Sequence, residues 1–74
     1  MMEIPKDRIE SGSGIRGWVI ANFYGEDLFE IVKKITSYYG EYPPQGYDTH
    51  TTKEPYDTGN GYYHAVVRRY STCD

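Results

Sequence analysis

One stretch of this chain, GEDLFEIVKKITSYYG at 25–40, carries a clear helical period. Leu28, Ile31, Val32, Ile35 and Tyr38 or Tyr39 recur at three- and four-residue steps, which is the apolar stripe of an amphipathic helix. Its ends agree with that reading. Glu26 and Asp27 fall in the first turn and Lys33 and Lys34 toward the other end, each where the helix dipole favours its sign. Glu30 and Lys34 are spaced for an i, i+4 ion pair. Gly40 supplies a left-handed stop, Pro43-Pro44 follow it, and Gly25 is a modest cap at the start. A single stripe must be buried against another element, and a lone helix covers only one side of a sheet.

The partner for that stripe is a sheet. IRGWVIANFY at 15–24, bounded by Gly14 and Gly25, and YYHAVVRRYS at 62–71 are rich in β-branched and aromatic residues, so both read as strands. YDTHTT at 47–52 reads as a weaker edge strand, because Pro43, Pro44 and Pro55 interrupt the region and proline cannot donate to a ladder. DTGNG at 57–61 is a turn signal. The order β-α-β-β predicts an α+β domain of two layers, with one helix on a small three-stranded, mainly antiparallel sheet. The last strand is central and the spatial order is 1-3-2. That domain spans 14–74. Residues 1–13 read as a flexible arm, with SGSG at 11–14 as its joint.

Strand alternation then sorts the side chains. Ile15, Val19, Ala21 and Phe23, with Tyr63, Ala65 and Val67, suit the helix side, where Gly17, Ala21 and Ala65 permit close approach. The other side collects Arg16, Trp18, Ile20, Asn22 and Tyr24 with Tyr62, His64, Val66, Arg68 and Tyr70. It is neither polar nor a second core. Large aromatics can each bury roughly 150–250 Å², so a cluster with Trp18 and several tyrosines could exceed the few hundred Å² a monomer usually exposes. A chain of 74 residues with nine tyrosines and a single cysteine has a thin core and no internal disulfide. It is built for a contact surface rather than a deep pocket.

Three occupants compete for the open side. The arm could fold back, with Ile4 and Ile9 shielding Trp18 and Ile20. A protein partner or a second copy, as a homodimer, suits the Trp, Tyr and Arg composition, since interface cores favour those residues. Single-stranded nucleic acid is the lesser alternative: aromatics interleaved with Arg and His make a stacking platform, but the net charge of −3 opposes it. The leading expectation is a small non-enzymatic protein-interaction module using Trp18, Ile20, Tyr62, His64, Val66, Arg68 and Tyr70.

Catalytic, metal and cofactor chemistry is set aside on spacing. His50 and His64 are the only histidines, and neither they nor Cys73 fall in a zinc-binding pattern. GSG and GNG are not phosphate loops, and a Cys73–His64 nucleophile pair would need the chain end folded over the sheet. Arg68 and Arg69 point to opposite faces, which sends Arg69 to the helix-side rim to meet Glu30 or Glu41. The long loop at 41–60 brings Tyr42, Tyr47 and Tyr56, either to extend the contact surface or to anchor the loop. No stretch has the length or apolarity of a membrane span or a signal peptide, so the expected location is cytoplasmic, with Cys73 a free thiol.

The layout GWVIANFYGEDLFEIVKKI followed by VRRYSTCD resembles small uncharacterised proteins encoded in bacterial and prophage genomes. The resemblance covers the strand at 17–24, the helix start at Gly25–Asp27 and the terminal strand. It implies a cytoplasmic, accessory, non-enzymatic role and carries no site residues with it.

Overall fold

The computed structural model describes residues 4–12 and 17–71. The chain runs β1 (Arg8–Ser11), β2 (Trp18–Gly25), α1 (Leu28–Glu41), α2 (Pro44–Tyr47), β3 (His50–Asp57) and β4 (Tyr63–Tyr70). The strands form one sheet in the order β1-β2-β4-β3, and every neighbouring pair is antiparallel. One helix packs on it, giving an α+β domain.

The expected order 1-3-2 survives as β2-β4-β3, with the last strand central. The strand count was too low. Residues 8–11, expected within a flexible arm, pair with β2 as a fourth strand at the edge. The sheet explains this addition: β2 has an unpaired edge, and β1 satisfies its backbone groups. Asp7 fixes the start of β1, accepting from the Tyr24 amide and from Lys34 Nζ, both at 3.0 Å. Lys34 also donates to the Tyr24 carbonyl at 2.6 Å, so one ammonium ties α1 to β2 and the edge. Ile15, Arg16 and Cys73 lie outside the described residues.

The third strand also lies later than expected, at 50–57 rather than 47–52. Pro55 sits inside it, and its register shifts between Thr51 and Lys53 and again between Lys53 and Tyr56. An outer strand tolerates both, because its far side has no ladder to satisfy. The turn before β3 needs special backbone angles: Gly46 adopts φ +100°, which favours glycine, and Asp48 adopts the left-handed region at φ 53°.

The helix begins at an acidic N-cap. Asp27 accepts from the Glu30 amide at 2.8 Å, and Glu30 reaches back to the Glu26 amide at 3.2 Å. This reciprocal arrangement resembles a capping box and satisfies two end donors. Ile31 is fully buried, and Ile35, Tyr38 and Tyr39 pack on Ala21, Phe23 and Val67. Leu28 and Val32 were expected in that core, but they are 48% and 50% exposed. The helix is rotated so that its tyrosine edge, rather than its leucine edge, meets the sheet. Tyr38 packs edge-on against Phe23 at 5.4 Å, and the Tyr39 hydroxyl bonds Thr51 Oγ1 at 2.9 Å. No helix among the described residues is long and apolar enough to cross a membrane.

Candidate functional site: the uncovered sheet face

Alternation in β2 and β4 divides the side chains as the sequence predicts. Val19, Ala21, Phe23, Ala65 and Val67 are buried on the helix side. Trp18, Ile20, Asn22 and Tyr24 face the other way, registered against Tyr70, Arg68, Val66 and His64. Of the seven residues expected to form the surface, six share this face by register. Tyr62 lies just before β4, with its ring edge-on to Tyr24 at 5.8 Å.

Ile9, expected to shield Trp18 and Ile20, does not cover them. It registers with Ala21, so it projects to the helix side, where it is 51% exposed. What β1 adds to the open face is Arg8 and Glu10, which pair with each other at 3.0 Å.

The face has two clusters. At one end Trp18 stacks on its cross-strand partner Tyr70, with centroids 4.2 Å apart and planes 25° apart. The Arg68 guanidinium carbon lies 4.1 Å from the same indole centroid. The indole is thus contacted by both side chains. Arg68 Nη2 donates to His50 Nε2 at 3.2 Å, and His50 Nδ1 bonds the Asp48 carbonyl at 3.0 Å. A carbonyl only accepts, so Nδ1 carries the proton and Nε2 is free to accept from Arg68. Arg68 Nε is shielded from solvent without a hydrogen-bond partner.

At the other end Tyr24 stacks on His64 at 4.6 Å, nearly parallel. His64 Nε2 bonds Asn22 Oδ1 at 3.0 Å and Nδ1 bonds the Tyr56 hydroxyl at 2.8 Å. Both ring nitrogens are thus engaged. The neutral imidazole suits this arrangement, donating to Asn22 and accepting from Tyr56. Burial, and secondarily the charge of Lys53, hold its pKa below the ordinary histidine value. Between the clusters Ile20, 36% exposed, and Val66 supply apolar surface.

Two residues outside the expected seven join them: His50, inside the weak strand expected at 47–52, and Tyr56, a loop tyrosine expected either to extend the surface or to anchor the loop, both belong to β3 and close the face on that side. The two register shifts and Pro55 erase the alternation that would have revealed them. Arg69 lies on the helix side as expected but meets neither Glu30 nor Glu41. Its Nε donates to the Tyr38 hydroxyl at 2.8 Å, its Nη1 to the Tyr70 carbonyl at 2.8 Å, and its carbon lies 3.7 Å from the Tyr42 centroid. Tyr42 and Tyr47 are therefore anchors of the connecting segment, while Tyr56 extends the open face.

A groove of about 440 Å³ runs beside α1, lined by Phe23, Glu30, Lys34 and Tyr38 among others. It lies on the helix side, away from His64. Among the described residues no group of three His, Cys, Asp or Glu is placed to hold a metal ion. No family model, no curated protein and no solved structure matches the chain.

Proposed function

We propose that the chain is a small, two-layer cytoplasmic interaction module that catalyses nothing itself and docks another polypeptide on its uncovered sheet face. One observation carries the reading: Trp18, Tyr24, His64, Arg68 and Tyr70 lie on the side that the helix leaves open, already fixed in place by stacking and hydrogen bonds. Aromatic and arginine side chains concentrate binding energy in interfaces, and rings ordered before contact lose less entropy on binding. The composition of the face matches that of an interface core, with Glu10 the one carboxylate that the registers place on it.

Single-stranded nucleic acid fits less well. A base stacks on a free ring face, whereas the indole is already in contact with Arg68 and Tyr70, and His64 takes one face of Tyr24. Selection of binders from a displayed library of random dodecapeptides tests the reading, with wild type and Trp18→Ala as baits. Peptides selected on wild type should bind Trp18→Ala about tenfold more weakly or worse, the hot-spot range. Failure to enrich any peptide, or equal binding to both baits, contradicts it.

A further inference from the structure

We infer that the polypeptide received by the open face is acidic, setting a carboxylate against Arg68 and an apolar side chain beside it on Ile20. The inference rests on the docking reading above and adds the chemistry of the partner. The registers place Arg8, Glu10, Lys53 and Arg68 on this face. Arg8 and Glu10 neutralise each other at 3.0 Å. Among the described residues neither Arg68 nor Lys53 has a carboxylate partner. Among the described residues that the registers place, a chain with a net charge of −3 thus carries a positive excess on the face its helix does not cover.

Arg68 is also held in a receptive pose. The guanidinium carbon lies over the indole, 4.1 Å from its centroid, and His50 takes one donor of Nη2. Nε is shielded from solvent, and the donors left on Nη1 and Nη2 lie at the edge of the plane, which is where a carboxylate binds an arginine. Ile20 is the cross-strand partner of Arg68, so an apolar side chain next to the carboxylate would meet apolar surface.

The same charges argue against a second copy. Two such faces pressed together would bring paired arginines and lysines into a drying interface, with no carboxylate left over to offset them. Nucleic acid would answer the charge but not the stacking, for the reason given above.

The test uses the full chain as bait in the dodecapeptide selection, with composition and variant binding as readouts. Peptides enriched in Asp and Glu next to an apolar residue are expected. Their binding should fall about tenfold in Arg68→Gln and be only partly recovered in Arg68→Lys, because an ammonium cannot both stack flat and offer a fork. Lys53→Gln, at an exposed position, should weaken the same peptides by a smaller factor and guards against misfolding of the Arg68 variants. Enriched peptides that are neutral or basic, or indifferent to both positions, would overturn the acidic chemistry while leaving the docking reading in place. No enrichment would remove both. Displacement of the peptides by oligothymidylate at comparable concentration, or sedimentation of wild type as a dimer that Arg68→Gln abolishes, would overturn it in favour of nucleic acid or a second copy.

Discussion

Arg68 and Trp18 are diagonal neighbours across β2 and β4, and the arginine's guanidinium carbon rests 4.1 Å from the indole centroid. The cross-strand partner of Trp18 is Tyr70, so one indole is contacted by two residues spaced two apart on the neighbouring strand. That diagonal arises from the pleat, which places alternate residues of β4 on one side. It also distinguishes the two sides of the sheet. On the helix side the adjacent Arg69 is buried among tyrosines, while Arg68 remains partly exposed on the open side.

Arg69 should behave as a structural residue. The residue is 9% exposed, and its guanidinium bonds the Tyr38 hydroxyl and the Tyr70 carbonyl and covers Tyr42. Hydrogen bonds to charged groups are each worth about 1.5–3 kcal/mol, so Arg69→Ala should cost about 2–3 kcal/mol in urea unfolding. Arg69→Lys should recover little of it, since lysine lacks the planar fork. A loss inside the ordinary surface range of about 0.5 kcal/mol would contradict the caged arrangement.

The rotation of α1 can be tested by paired truncations. Ile31 is fully buried and Leu28 is 48% exposed. Ile31→Ala should cost about 2–5 kcal/mol, a large share of the roughly 4–11 kcal/mol that this chain length implies. Leu28→Ala should cost under about 1 kcal/mol. Equal losses in denaturant titration, or the reverse order, would mean that the leucine edge faces the sheet after all.

These two contrasts mark what the sequence could and could not reveal. The two sides of β2 and β4 were legible because both strands alternate without interruption from Trp18 to Phe23 and from Tyr63 to Val67. The helix was legible from its period, but the part of the stripe that meets the sheet was not. Leu28 and Val32 are the more apolar edge, yet the sheet takes Tyr38 and Tyr39, whose large rings reach Phe23 and β3. β1 escaped notice because RIES is short and exposed and gains its structure only from the edge of β2. The Arg69 cage had no local signal, since Tyr42 and Tyr47 are brought to it by the connection after α1.

His64 gives the fold a pH dependence of known sign. Its pKa is lowered by burial first and by Lys53 second, so the folded chain favours the neutral ring. That contribution is fully present above the ordinary imidazole pKa of about 6.5 and is lost as pH falls through the lowered folded value. Stability should therefore decline on the acid side of neutrality, and His64→Gln should flatten that decline. Proton NMR titration of the His64 ring should place its midpoint below the ordinary value. Lys53→Gln should move it part of the way back. A midpoint at or above the ordinary value would show that the ring is not held neutral by its surroundings.

The most direct measurement is acrylamide quenching of Trp18, the single tryptophan of the chain, alone and with a peptide selected on the open face. An indole in contact with Arg68 and Tyr70 on an uncovered sheet face should be quenched to an intermediate degree, below the urea-unfolded chain but well above a core residue. Saturating peptide should then suppress the quenching. A tryptophan as protected in the free chain as a core side chain, or one whose quenching is unchanged by bound peptide, would contradict a docking face on the side of the sheet away from the helix.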